Sequence, residues 1–161
     1  MKELKTLDKI ESAISTELDK LSFNPELLSC DHLCYIAKSE ESYNKWVSRI
    51  PELGTIIREI NGASMNLKGK NFLVIRLNNP ILFMHMQVDI LEIKQSNNQD
   101  FQEDWQHAEF IPNCSLTDIL DQNTETSFES GRLNDQNNQE IGIRFSKQYS
   151  LKFRTTTLAD I

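Results

Sequence analysis

Two segments of this chain place a histidine at the same position of a short apolar run, and this shared layout constrains the fold most strongly. The first segment covers residues 30–37 and contains His32, and the second covers residues 105–111 and contains His107. In an extended strand, residues two apart project from one face, so Glu109 shares a face with His107. Both segments are therefore predicted to be strands that carry an imidazole on one face.

The first half of the chain reads as a helix followed by a strand, a helix and three strands. Apolar residues recur at helical spacing from residue 2 to residue 21, which predicts a helix that covers a core. The residue before a proline is pushed out of the helical region, so Asn24-Pro25 ends this helix. The elements predicted after it are a strand at 30–37, a helix from Ser39 to Ile50, strands at 55–59, 71–77 and 81–93, and turns at Asn61-Gly62 and 78–80.

The second half repeats this order after a polar loop at residues 95–104. Its opening strand, 105–111, is followed by a short helix whose start is marked by Ser115 and Asp118, a pattern that resembles a capping box. Two closing strands are predicted at 140–146 and 149–155. The fold class is therefore α+β, built from paired βαβββ modules with an additional N-terminal helix. The predicted boundaries are residues 1–28 for the helical extension and 29–161 for the domain, with modules at about 29–95 and 104–161.

Composition excludes several classes of function. The 161 residues carry 17 Lys and Arg against 24 Asp and Glu, a net charge of −7, with no basic run that could neutralise adjacent phosphates. We therefore expect no nucleic-acid partner. No segment approaches the ~18 apolar residues of a membrane span, and the charged N-terminus is unlike a signal peptide, so we expect a cytoplasmic protein without a membrane partner. The three cysteines are expected to be reduced packing residues.

The residues alone leave two interpretations of the histidines open. Imidazole and carboxylate together suit Zn, Ni, Mn or Fe, and the carboxylate could come from Glu92 or Glu109. A buried histidine that is hydrogen-bonded to a neighbouring group is nevertheless the commoner arrangement. The third histidine, His85, falls on the other face of its strand from Glu92 and is expected to be structural.

Four short motifs resemble the YecM family of the vicinal-oxygen-chelate superfamily, which includes glyoxalase I and extradiol dioxygenases. The motifs are Asp31-His32-Leu33, Ile60-Asn61-Gly62, Trp105-x-His107-x-Glu109 and Leu151-Lys152-Phe153. This resemblance runs from about Asp31 to the C-terminus. It implies a cup of curved mixed sheet around a divalent metal ion held by His32, Glu92 and His107, and it makes pairing of chains into a homodimer an expectation.

The chain departs from the superfamily at the fourth ligand, where an acid is usual on the last strand and this sequence has Lys152 and Arg154. A cation cannot ligate a metal, so Glu109 or a water is left to complete the shell, and Arg154 could hold an anionic substrate. If Glu109 is not a ligand, it is the candidate catalytic base of an isomerase, lyase or oxygenase. Trp105 is predicted to form a wall of the substrate pocket.

Two other functions remain open at this point. One is a metal-free module that binds a small molecule in the same cup, with Arg154 or Lys152 holding an anion. The other is an interaction domain without a ligand. The first predicts tight ligand binding that a chelator does not affect, and a narrow, empty cup would favour the second.

Overall fold

One seven-stranded sheet runs through the molecule, and helices pack against it. The computed structural model describes residues 6–22, 24, 26, 28–60 and 71–160. In chain order, the elements of this described part are α1 (Leu7–Leu18), β1 (Leu28–Ala37), α2 (Glu40–Val47), α3 (Ile50–Leu53), β2 (Gly54–Ile60), β3 (Phe72–Phe83), β4 (Met86–Gln95), β5 (Trp105–Pro112), α4 (Leu116–Gln122), β6 (Glu140–Arg144), β7 (Ser150–Arg154) and a 3₁₀ turn (Leu158–Asp160).

The strand order β2-β3-β4-β1-β5-β7-β6 divides the sheet into two modules of similar topology. In the first module β1 lies parallel to β4, and β3 and β2 continue outward as antiparallel neighbours. In the second module β5 lies parallel to β7, and β6 follows antiparallel. The opening strands β1 and β5 join the modules at the centre as an antiparallel pair. This arrangement confirms the predicted α+β class and the pairing of modules.

The third closing strand of the second module is reduced to a single bridge. Glu129 exchanges two backbone hydrogen bonds with Gly142 of β6, at 2.7 and 2.9 Å. This bridge lies beyond β6, where the first module has β2 beyond β3. The polar sequence around Glu129 offers no apolar alternation to extend the pairing.

The hydrophobic core joins the helices to the sheet. The predicted apolar stripe of α1 is buried through Leu7, Ile10, Ile14 and Leu18, and α1 contacts β5. The capping box at the start of α4 is also confirmed, since Ser115 and Asp118 exchange both side-chain to backbone hydrogen bonds. The core therefore includes the N-terminal helix as well as both modules.

The predicted turn at residues 78–80 was wrong. Strand β3 continues through Asn78-Asn79-Pro80 with a register irregularity against β4 between Arg76 and Ile81, and such a bulge tolerates a proline in a sheet. The chain reverses instead at Met84 and His85, which have φ angles of 48° and 65°. A two-residue hairpin turn requires positive φ, and Gly or Asn normally supplies it, so the sequence carried no signal for this turn.

Some predictions fall outside the described residues, namely the Asn61-Gly62 turn and the first residues of the N-terminal helix. The division at residue 28 into extension and domain stays a prediction, as does the pairing of chains. Among the helices described, none is long and apolar enough to cross a membrane.

Candidate metal centre

Four side chains from the three central strands converge at one point of the cup. His32 comes from β1, Glu92 from β4, and His107 and Glu109 from β5. All four are buried, and one donor atom from each lies within 4.8 Å of the others. The structure therefore brings together the three ligands that the family resemblance implied, and it adds Glu109, which shares a face with His107 as predicted.

The four distances between the histidine nitrogens and the carboxylate oxygens match those between ligands of one ion. His107 Nε2 lies 3.4 Å from Glu92 Oε2 and 3.2 Å from Glu109 Oε1, and His32 Nε2 lies 3.3 and 3.7 Å from the same oxygens. Ligands held about 2.1 Å from a transition metal stand roughly 3 to 4 Å apart. The Nε2 atoms of both histidines are buried without a hydrogen-bond partner. These residues fit a divalent cation, which would satisfy both nitrogens and balance the charge of the paired carboxylates.

Two β-bulges orient the histidines. The pairing of β1 with β5 skips Asp31, and it skips Gln106 on the other strand, so each histidine follows an extra residue. A bulge changes the direction in which side chains project from a strand. Here the side chain of each extra residue contacts the ring of the histidine that follows it. His32 Nδ1 lies 2.7 Å from Asp31 Oδ2, and His107 Nδ1 lies 2.8 Å from Gln106 Oε1. With the Nδ1 proton donated to these oxygens, each Nε2 is directed at the centre, the usual arrangement around a ligating histidine.

Three cations hold the carboxylates from outside. Lys94 Nζ lies 2.6 Å from Glu92 Oε1, which leaves Glu92 Oε2 facing the histidines. Lys152 Nζ lies 3.0 Å from Glu109 Oε1, and a guanidinium nitrogen of Arg154 lies 2.7 Å from Glu109 Oε2. Each carboxylate is therefore fixed on two sides, and the short, charge-assisted contacts limit its rotation.

Electrostatics keeps both acids ionised. Burial alone would raise the pKa of Glu92, but Lys94 and the two histidines outweigh it and hold that pKa well below its usual range. Burial would also raise the pKa of Glu109. The nearby cationic groups, chiefly His32, outweigh this effect and hold the pKa of Glu109 well below its usual range.

The two histidines differ from each other. Burial lowers the pKa of His32, but the surrounding acids, Glu109 first, raise it to about 9. Burial and Lys152 lower the pKa of His107. His32 thus holds a proton that a metal ion would have to displace.

The centre opens into a cavity of about 610 Å³, a size that suits a small organic ligand. Arg154 lines this cavity, and its role in holding a substrate stays a prediction. The assignment of Trp105 to the pocket wall is corrected: Trp105 is fully buried in the core, edge-on to Tyr35 at 5.4 Å between ring centroids. The bulge at Gln106 breaks the strand alternation between Trp105 and His107, so Gln106 lines the cavity instead.

Several residues that contact the central group were not predicted from the sequence. Asp31, Gln106 and Lys94 all contact the central residues, and only the position of Asp31 and Gln106 directly before a histidine could have drawn attention to them. His85 was predicted to lie within a strand, but it lies on the β3–β4 turn and is not a member of the central group. Cys30 and Cys34 are buried free thiols, and Cys114 is partly buried.

Solved structures share this fold at low sequence identity. One described as Structural Genomics, Protein EC4020 has a TM-score of 0.79 and 17% identity, and the match covers 99% of this chain and 89% of that one. A variant of Streptomyces coelicolor methylmalonyl-CoA epimerase, in complex with 2-nitronate-propionyl-CoA, has a TM-score of 0.53 and 10% identity over 82% of this chain and 99% of that one. The protein thus has the vicinal-oxygen-chelate fold.

A sequence profile described as YecM protein matches residues 1–159, and the chain belongs to the YecM family. A curated relative, an uncharacterised protein of Haemophilus influenzae, is 27% identical over 95 residues. That match covers 56% of this chain and 47% of the relative, so the chain spans about half the length of this relative.

Proposed function

We propose that this protein binds one divalent metal ion through His32, Glu92, His107 and Glu109 and acts on a small substrate that offers two neighbouring oxygens. The observation that carries the proposal is the convergence of four donor atoms within 4.8 Å, two of them buried nitrogens without a hydrogen-bond partner. Two imidazoles and two carboxylates form a mixed nitrogen and oxygen set, which suits Zn, Ni, Mn or Fe. The fold shared with an epimerase supports a small-molecule substrate.

We assign Glu109 to the ligand set and not to the role of general base. Its Oε1 faces His107 at 3.2 Å and Lys152 at 3.0 Å, while its Oε2 is held by Arg154 at 2.7 Å. Oε1 therefore faces the histidines, as a ligand would, and Oε2 lies at ion-pair distance from Arg154 without a hydrogen bond. The pKa of Glu109 is held well below its usual range, which makes this carboxylate a poor general base. In this proposal Glu109 replaces the acid that the superfamily usually carries on the last strand.

The remaining residues position the ligands and the substrate. A bound divalent ion would stabilise negative charge that develops on substrate oxygens, the chemistry common to isomerases, lyases and oxygenases of this kind. Asp31 and Gln106 fix the ring orientation of the histidines through their Nδ1 contacts. Arg154, buried beside Glu109 and lining the cavity, orients an anionic group of the substrate.

Elemental analysis of protein purified without chelator tests this proposal. We expect about one equivalent of metal in the wild-type protein and none in the His32→Ala/His107→Ala variant. The matched control is His85→Asn, which removes the third histidine and keeps a residue that tolerates positive φ. Equal metal in the wild type and the double variant, or none in either after addition of each ion, would contradict the proposal.

A second candidate is a metal-free module that binds an anionic small molecule in the same cup. The observation that favours it is that Lys94, Lys152 and Arg154 pair with the two central acids. The negative charge of these acids is therefore balanced without a metal ion. Such a module would bind its ligand equally well with and without chelator. Loss of ligand binding on chelation, restored by added metal, would exclude it.

A further inference from the structure

The cavity is strongly cationic although the chain as a whole carries a net charge of −7. Among the described residues, six lysine and arginine side chains line it, against three acids. A cavity wall with an excess of positive charge concentrates anionic ligands, even in a protein whose net charge is negative. The cations are Arg58, Lys94, Arg132, Arg144, Lys152 and Arg154, and the acids are Glu92, Glu109 and Glu140.

The three inner cations are largely engaged by these acids. Lys94 pairs with Glu92 at 2.6 Å. Lys152 lies between Glu109 and Glu140, at 3.0 and 3.3 Å. Since Glu92 and Glu109 are also the acidic ligands of the proposed metal ion, the charge of that ion would leave the inner wall with a positive excess.

The three outer cations, which we call the rim arginines, are Arg58, Arg132 and Arg144. Arg58 is half-buried, and Arg132 and Arg144 are exposed. Arg144 pairs with Glu129 at 3.4 Å, and its guanidinium lies 5.9 Å from the ring centre of Phe101. Within the part of the chain that the structure describes, neither Arg58 nor Arg132 has an acidic group within ion-pair distance. Among the described residues, Arg58 and Arg132 therefore offer positive charge that no acid neutralises, and Arg144 adds a guanidinium that is paired only with the exposed Glu129.

We propose that the substrate is an organic acid with at least two negative charges. Its oxygen-chelating end would occupy the inner site, and its second anionic group would contact the rim arginines. The apolar part between them would pass Phe72 and Phe101, which also line the cavity. A cavity of about 610 Å³ exceeds what a simple inorganic anion fills, and this supports an organic substrate. The inference rests on the proposed function, because the inner site is the proposed metal centre.

Matched pairs of probes test for the second charge. Lactate and malate share a hydroxyl beside a carboxylate, and malate adds a second carboxylate. Glycerate and 3-phosphoglycerate form the equivalent pair for a phosphate. Calorimetry on the metal-loaded full-length protein should give at least one probe with the added anionic group an affinity about tenfold or more above that of its singly charged partner. Preference within only one pair identifies the second group as carboxylate or phosphate and supports the proposal.

The variant Arg58→Gln/Arg132→Gln/Arg144→Gln should lose most of this preference while its metal content and circular dichroism stay unchanged. The matched control is Arg76→Gln, an exposed arginine on β3 that does not line the cavity. Added salt should also reduce the preference, because charges at an exposed rim are screened.

Two results would overturn this inference alone: full metal content with equal affinities inside both pairs, or an unchanged preference in the triple variant. Absence of metal from the wild-type protein would overturn the proposed function and this inference together. Metal content is therefore measured first on every sample, so that the two failures are distinguished.

Discussion

Lys152 on β7 of the second module occupies the register position that corresponds to Glu92 on β4 of the first. Glu92 is paired across the parallel strands with Cys34, two residues after His32, and Lys152 is paired with Glu109, two residues after His107. The acid therefore lies on the closing strand in the first module and on the opening strand in the second. Lys152 occupies the position on β7 that corresponds to Glu92 on β4, and its Nζ lies 3.0 Å from Glu109 Oε1.

Two substitutions can return the acid from the opening strand to the closing strand of the second module. We expect Glu109→Ala to lower metal affinity by more than roughly 100-fold, the upper end of the cost of losing an outer partner. Adding Lys152→Glu should restore much of the affinity, because the new carboxylate takes the position related to Glu92. Competition with a metal-binding dye measures both variants. Retention of full affinity in Glu109→Ala would show that Glu109 is not a ligand.

The outer contacts of the histidines should contribute measurably to metal binding. Asp31 Oδ2 accepts from His32 Nδ1 at 2.7 Å and from the backbone N–H of Leu158 at 3.0 Å. We expect Asp31→Ala to weaken metal binding by about 10- to 100-fold, because the ring of His32 loses its orientation. Asp31→Asn keeps a side-chain oxygen and should have the smaller effect in the same titration. Equal affinities for all three proteins would refute this role.

The sequence predicted more of the fold than of the site. Alternation and helical spacing located most strands and helices, since burial of one face imposes those periods. The turn at Met84 and His85 could not be predicted, because tertiary contacts, including the hydrogen bond from Met84 N–H to Glu11, hold a conformation that these residues disfavour locally.

At the site, strand alternation correctly predicted that Glu109 shares a face with His107. It failed for Trp105, because the bulge at Gln106 breaks the alternation and the side chain of Trp105 lies in the core. Bulges depend on pairing with a distant strand, so local sequence does not reveal them. The family resemblance, and not the residue pattern alone, selected His32, Glu92 and His107 as a group. That the fourth acid lies on β5 and not on β7 could be recognised only from the register in which the two strands pair.

The strained turn offers a test of the β3–β4 hairpin. His85 has a φ of 65°, a region that glycine enters without a steric cost. We expect His85→Gly to raise the free energy of unfolding by up to about 1 kcal/mol, after the entropy of the unfolded chain is taken into account. Urea unfolding followed by circular dichroism measures the change. A clear loss of stability would contradict a turn at this position.

The thiols should differ in reactivity. Burial raises the pKa of Cys30 and of Cys34 well above the usual range, whereas Cys114 is partly accessible and its pKa is raised less. Because the thiolate is the reactive form, we expect Cys114 to react with Ellman's reagent in the native protein. All three cysteines should react after unfolding. Rapid native reaction of more than one thiol would contradict the burial described for β1.

The most direct test of the central claim is anomalous diffraction from crystals of the metal-loaded protein, recorded on both sides of the absorption edge of the metal. We expect one strong anomalous peak per chain, from a metal ion coordinated by His32 Nε2, His107 Nε2, Glu92 Oε2 and Glu109 Oε1. A peak only elsewhere on the chain, or none in crystals grown with excess metal, would contradict a metal centre at this position.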